Sequence, residues 1–399
     1  MSTPNTDNQW VDRLMTHMAF LCKNIGARPP ASAQERQAAE YVKKTLAQLG
    51  CQDVQEQIFK SQNSVGWVLN LVLLAASFAM PVAWIGGPWG SLIGGLILLG
   101  SAYIIRESLQ AKRPFFQGLI ARWNSQNIIA NIVPAEAAKR KIYLVGHLDT
   151  QKQRFLTPPP NTGQFPLSGT LLILVPILGG VFLFLDMLIN RQGVPWWEWA
   201  MEAIIVLTLL GFLSEEWQPH VEGANDNASA VSILLTIAEI LKTQPLRSSE
   251  VTLLFTGCEE VACVGMENYL REYKPPKENT WWIDLELVGT GNLCYITKHG
   301  ITYLTQYTPA PEMLKLAAQT AQKNPDLGVI GKEMIIIEEV ANLRSKGYKA
   351  ICLAGYNKKG YLPNWHRLSD RLENIDPNTL NRANRFTLAL LREIDAMPV

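Results

Sequence analysis

Five short clusters along this chain contain side chains that can hold a divalent metal. They are Gly146-His147-Leu148-Asp149, Gly223-Ala224-Asn225-Asp226-Asn227, Cys258-Glu259-Glu260, Ile283-Asp284 and Trp365-His366. Zinc takes His nitrogen and carboxylate oxygen readily. A hydrolytic two-metal site holds its ions about 3.5–4 Å apart. It needs one carboxylate between them, further ligands on each ion and a general base beside the attacking water. The five clusters hold residue types for every one of those parts.

Taken singly, each cluster has an ordinary structural explanation. Asp149 reads as a cap in a turn, Asp226 as an N-cap aspartate, Glu259-Glu260 as a solvated loop and His366 as a surface histidine. Their placement argues for more. His147 follows a strand, and Asp149, two residues on, is spaced to bond the other imidazole nitrogen and raise its basicity. Glu259 and Glu260 follow the apolar run Val251 to Thr256. Adjacent carboxylates there raise one another's pKa unless a cation intervenes. A metal on one and a proton-accepting role for the other removes that cost. Asp284 lies in the otherwise apolar Trp281-Trp282-Ile283-Asp284-Leu285, where an unpaired acid is expensive. Glu286 shares its face and is its rival for the role.

The elements that must position these residues alternate. A helix is predicted over 9–27. Ser32 and Glu35 suit a capping box for another at 33–48, before a strand at 53–59. Strands at 127–133 and 141–145 precede His147. After Glu215 come a helix (227–241), a strand (251–256), a helix (265–273), strands (281–288 and 293–297), a helix (311–322) and a strand (350–354). Asp376-Pro377 starts a last helix. Such alternation predicts an α/β fold, a three-layer sandwich around a central, mostly parallel mixed sheet.

Two apolar stretches interrupt that pattern. No charge occurs from Gly66 to Ile105, and Gly86-Gly87-Pro88 divides the stretch into halves of about bilayer-crossing length. A second pair spans 169–190 and 195–213. Its acids, Asp186, Glu198 and Glu202, cluster near the turn Asn190-Arg191-Gln192-Gly193, as at a membrane face. Four transmembrane helices in two inserted hairpins, 66–105 and 169–213, are therefore expected. They leave 1–62, 110–165 and 217–399 as one discontinuous domain. Arg106, Lys112, Arg113 and Arg122 flank the first hairpin, and the positive-inside tendency puts that domain in the cytoplasm.

Composition agrees. The chain has 399 residues, 48% hydrophobic and only 18% charged, with a mean hydropathy of +0.03, high for a chain without spans. A net charge of +1 offers no field for nucleic acid. The six cysteines form no CxxC pair and read as reduced, buried thiols. The polar Met1–Asn8 is followed by no apolar leader, so no cleaved signal peptide is expected.

In this order the motifs resemble the di-zinc aminopeptidases of the bacterial leucyl aminopeptidase and aminopeptidase Y type, relatives of glutamate carboxypeptidase and glutaminyl cyclase. That pattern runs Gly-x-His-x-Asp, Gly-Ala-x-Asp-Asn, Glu-Glu, a strand Asp, then a late His with an Asp soon after, here His366 and Asp370. The opening Gly26-Ala27-Arg28-Pro29, with Glu35 through Gly50, is also similar. The resemblance implies that His147 and Asp284 hold one Zn2+ and that Glu260 and His366 hold a second. It further implies that Asp226 bridges, Glu259 is the base and Asp149 orients His147. The chain departs from the pattern at Ala230, at Glu338-Glu339-Val340-Ala341-Asn342 and in its two hairpins.

The expected protein is thus a membrane-anchored zinc peptidase acting on peptides beside a lipid bilayer, an aminopeptidase in the first instance. Glutaminyl cyclisation, carboxypeptidase action or N-acyl amino acid deacylation would use the same chemistry. A membrane receptor or scaffold on the same fold is the non-enzymatic alternative. Oligomeric state is not legible in the sequence.

Overall fold

The computed structural model describes residues 4–51, 53–155, 161–189 and 193–398. Helix α1 (Pro4–Ala19) runs into a π-turn at Phe20–Ile25, followed by α2 (Ala33–Gln48) and β1 (Gln55–Ser61). Next come α3 (Gly66–Ala76), α4 (Ala79–Ser108), α5 (Gln117–Ile120), β2 (Trp123–Ile132) and β3 (Arg140–His147). After α6 (Phe165–Ile189) and α7 (Trp196–Glu215) lie α8 (Ser229–Thr243), β4 (Ser249–Thr256), α9 (Val264–Tyr273), β5 (Thr280–Glu286) and β6 (Asn292–Lys298). The chain closes with α10 (Pro311–Lys323), β7 (Ile330–Glu333), α11 (Glu339–Ser345), β8 (Lys349–Tyr356) and α12 (Pro377–Asp395).

The strands form one mixed sheet of eight, ordered β1-β2-β4-β3-β5-β8-β6-β7. Its centre, β4-β3-β5-β8, is parallel, and the joins β1-β2, β2-β4 and β6-β8 are antiparallel. Alternation along each strand builds two cores. Ile142, Leu144, Leu253, Phe255 and Ile283 pack on one face against α1, α2, α8, α10 and α12. Tyr143, Val145, Leu254 and Trp282 pack on the other against α9 and α11. This is the expected layering.

Local signals act as the sequence suggests, with one change. The Ser32 hydroxyl accepts the Glu35 N–H at 3.2 Å. The Glu35 carboxylate, however, reaches past the cap to accept from Ala31 N, Ser125 Oγ and Cys258 N. Glu35 therefore links α2 to the loop that carries Glu259. Asp376 caps α12, accepting from Asn378 N at 3.0 Å. All six cysteines are free thiols.

Among the described residues, three helical stretches are long and apolar enough to cross a membrane: Gly66–Ser108, Phe165–Ile189 and Trp196–Glu215. The expected count was four. The first stretch is folded rather than straight, because Gly87 takes φ +56° and ψ −141°, a conformation suited to glycine. The chain doubles back there. A Cβ on Gly90 would meet the Val82 carbonyl at 2.3 Å, and one on Gly94 the Ala79 carbonyl at 2.4 Å. Gly95 and Gly180 likewise bring α4 and α6 into backbone contact, as small residues let apolar helices pack closely. Leu69, Val72, Leu73, Ile105, Ile173 and Leu209 form an apolar cluster of these helices, while Ile85, Trp89, Leu188, Trp196 and Leu207 stand exposed. Among the acids in these helices, Glu198 is buried and accepts the Trp84 indole N–H at 2.6 Å. Asn190, Arg191 and Gln192 of the second turn lie outside the described residues.

The apolar helices are tied to the sheet by charge. Glu216, just after α7, accepts from Lys152 Nζ at 2.7 Å and from Ser64 Oγ at 2.9 Å. Glu215 pairs with Arg154 at 3.2 Å and accepts the Phe155 N–H at 2.8 Å. The end of the second apolar pair is thereby pinned to the loop that leaves His147.

Candidate metal centre

Strand β3 delivers His147 as its last residue, at the carboxyl edge where open α/β sheets place their sites. Beside it, β5 runs parallel with Val145 opposite Asp284. Asp284 therefore lies level with Val145, one pleat short of the edge. Two residues further, about 6–7 Å along the strand, Glu286 stands level with His147. Its Oε2 is 3.6 Å from His147 Nε2. Where the resemblance implied Asp284 beside His147, the structure brings Glu286. On β5, Asp284 groups with Glu338 and with Cys352, its partner on β8, and also with Glu286 and Glu339. The same-face alternation was readable in the sequence. The register against β3, which separates the two acids, was not.

Asp226 comes from the loop between α7 and α8. Gly223 turns that loop at φ +68°, where a Cβ would strike Thr150 at 2.1 Å. The loop is held on all sides. Asn225 donates to Pro363 O and accepts from Gly289 N, and Asn227 donates to Leu285 O. Asp370 accepts the N–H groups of Asn225 and Asp226 at 2.6 and 3.0 Å. Asp226 so held reaches both histidines, with Oδ1 3.0 Å from His147 Nε2 and Oδ2 3.5 Å from His366 Nε2.

Glu260 Oε2 lies 3.2 Å from His366 Nε2, and Glu259 Oε2 4.0 Å from His147 Nε2. Asp149 serves two ends. Its carboxylate is 3.4 Å from His147 Nδ1 and accepts the N–H groups of Glu259 and Glu260 at 3.0 and 3.1 Å. Asp149 thus positions the imidazole and the Glu pair together.

Arg28, in the opening Gly-Ala-Arg-Pro, is a positioning residue whose role sequence reasoning missed. It is buried and donates to Leu148 O, Gly26 O, Glu222 O and Gly223 O. The loops carrying His147 and Asp226 are thus clamped by one guanidinium. Arg28→Met leaves those carbonyls unpaired in the interior. The expected loss is about 1–3 kcal/mol, read as a lowered thermal unfolding midpoint of the metal-free chain. A change under about 1 kcal/mol would show that the clamp is dispensable.

The centre is crowded with negative charge. Burial, then Glu286 and Glu260, holds Glu259 well above the usual carboxylate range. Burial also pushes Glu286 well up and Glu260 up. Burial works against charge on His147, yet Glu286, Asp149 and Asp226 hold its pKa well above the ordinary imidazole value. Asp226 is lowered, its burial outweighed by His147. A bound cation would relieve this crowding and favour the charged carboxylates.

Two donor groups share Asp226: His147 with Asp226 and Glu286, and Asp226 with Glu260 and His366. In each, the donor atoms lie within 4.8 Å of one another. Glu260 Oε1 and Glu286 Oε1 are buried without a partner. Imidazole nitrogen plus carboxylate oxygen is a zinc donor set, and the residues present fit that metal. His147, Asp226, Glu260 and His366 of the expected ligands come together here. So do the expected base, Glu259, and the orienting Asp149.

The centre opens into a cavity of about 800 Å³ that Asp226, Glu259, Glu260, Glu286 and His366 line at one end.

Residues 208–391 match the sequence model of peptidase family M28. A probable lipoprotein aminopeptidase of Mycobacterium tuberculosis, LpqL, is 25% identical over 187 residues, 41% of this chain and 37% of that protein. The chain therefore matches little more than a third of that relative's length. Among solved structures, a glutaminyl cyclase of Bacteroides thetaiotaomicron bound to N-acetylhistamine is similar at TM-score 0.57 and 17% identity, covering 96% of this chain and 97% of that one. A leucine aminopeptidase precursor of the same organism gives TM-score 0.56 and 17% identity, covering 96% of each chain. BSAP, a zinc aminopeptidase of Bacillus subtilis, gives 0.56 and 14%, covering 96% and 94%. At such identities the structural likeness shows the fold, which is that of zinc peptidases and glutaminyl cyclases.

Proposed function

We propose that this chain is a membrane-anchored, two-zinc aminopeptidase. The observation that carries the reading is the shared Asp226, between one group completed by His147 and Glu286 and another completed by Glu260 and His366. His147, Asp226 and Glu286 would hold one ion, and Asp226, Glu260 and His366 the other. Bound there, zinc supplies Lewis-acid polarisation of an amide carbonyl and lowers the pKa of water toward about 7.

The chain's own residues do the rest. Glu259, at the mouth of the centre, takes the proton from the attacking water and passes it to the leaving amine. Asp149 keeps Glu259 in place through its N–H. Cys263 Sγ–H donates to Glu259 Oε1 at 3.2 Å, fixing that carboxylate's rotation.

In this reading 1–62, 110–165 and 217–399 make one discontinuous catalytic domain on the cytoplasmic face, and the apolar helices anchor it in the bilayer. Few residues separate Glu215 from Asp226, so extended chain reaches only about 35–40 Å and the centre works beside the membrane. The full chain in detergent with zinc should hydrolyse aminoacyl-anilides and leave N-blocked analogues intact. Cleavage of N-blocked substrates alone would move the reading to deacylation. Cyclisation of an N-terminal glutaminyl peptide without anilide hydrolysis would move it to glutaminyl cyclase action.

A further inference from the structure

The cavity above the centre reaches the inserted helices. Beyond Glu259 and His366 it passes Trp365 and continues between the apolar helices, lined by Leu69 and Leu73 of α3, Leu172 and Val175 of α6, and Ile205 and Phe212 of α7. Arg154 and Glu215 also line it, but they neutralise one another at 3.2 Å. Among the described residues, no unpaired charge lines the helical part of its wall. The loop after β6 helps to seat α6: Tyr303 N–H donates to Thr170 Oγ1 at 2.9 Å. The compartment is thus built jointly by the sheet's site loops and by the inserted helices.

A small peptide arriving from water needs no such chamber, and its polar backbone would lose hydrogen bonds there. A long aliphatic chain loses none. We infer that the substrate is an amphipathic amide whose long hydrocarbon tail lies between α3, α6 and α7 while its amide reaches Glu259 and the metal donors. This rests on reading the centre as a zinc amide hydrolase. It adds that the hairpins shape the substrate site as well as anchoring the enzyme. The tail sits either on the leaving amine, as in an aminoacyl alkylamide or a peptide with an alkyl chain, or on the acyl carbon, as in an N-acyl amino acid. Each methylene moved out of water changes an equilibrium about fourfold, so chain length should be read strongly.

The test uses the full-length, zinc-loaded chain in detergent with leucine alkylamides and N-acyl-leucines, each from two-carbon to twelve-carbon members. In one series kcat/KM should rise at least ~100-fold with length, and that series says which side of the amide bears the tail. Val175→Trp and, separately, Leu172→Trp should lower the ratio of long-chain to short-chain kcat/KM at least ~10-fold. A flat length profile, or a rise that both variants leave intact, overturns the inference, since partition into the micelle alone would then explain it. A dodecyl amide with a terminal diazirine gives a readout free of catalysis. It should label residues at the cavity wall in α3, α6 and α7 and be displaced by the unlabelled amide. Labelling confined to outward residues such as Leu185 and Leu188 overturns it. Labelling of the cavity with no amide cleaved at any length would leave the tail site standing and remove the hydrolase reading.

Discussion

Glu259→Gln should lower turnover by about 10³-fold, within the range for losing a general acid–base, while leaving metal content unchanged. The geometry behind this is specific. Glu259 Oε2 is 4.0 Å from His147, whereas Glu260 is 3.2 Å from His366, so the two neighbours are placed for different tasks. Glu260 belongs with the donors around His366, and Glu259 faces the space where water and substrate meet. Gln keeps the shape and the Cys263 neighbour but cannot carry a proton between water and amine. Elemental analysis beside a turnover assay checks both halves. Activity near wild type with metal retained would remove Glu259 from the role, and loss of metal would make it a ligand.

Glu286→Gln and Asp284→Asn should part company, although the residues are two apart on one face of β5. Glu286 lies 3.6 Å from His147 and within the Asp226 donor group. Its loss should cost more than the ~10–100-fold in metal affinity or activity that an outer partner costs, and should lower bound zinc. Asp284 lies one pleat deeper. Burial, then Glu339 and Glu286, holds it well above the carboxylate range, and an amide keeps its shape among those neighbours. Asp284→Asn should keep its zinc and stay within about tenfold of wild-type turnover. The reverse pattern would restore the assignment that the resemblance implied.

Much of this centre was legible in sequence because its parts attach to strand ends. His147, Asp226, Glu259 and Glu260 each follow or lead a recognisable element, and parallel strands bring their carboxyl ends to one edge, while His366 was found only by its place in the motif order. Asp284 could not be ranked against Glu286, because same-face alternation does not order two acids along a strand; only the partner's register does. The departure at Glu338-Glu339 belongs to the same miss, for those acids pack beside Asp284 and give it a structural neighbourhood. Arg28 was quoted as part of a motif, but its bonds reach Leu148 and Gly223, contacts more than a hundred residues away in sequence. Three elements escaped the pattern reading: α5, four residues long, β7, four mostly exposed edge residues, and α11, seven residues long. None is long enough to show a period. In the apolar stretches, the break at Gly86-Gly87-Pro88 was read in the right place, and Gly87 is where the chain turns.

The most direct test is a zinc titration of the full-length, chelator-stripped chain, following bound metal by elemental analysis and release of an N-terminal residue in the same samples. Two zinc ions per chain, with hydrolysis absent before loading and restored by it, is the expected result. Well under two ions per chain after loading, or hydrolysis that persists in the stripped chain, would contradict the two-zinc reading.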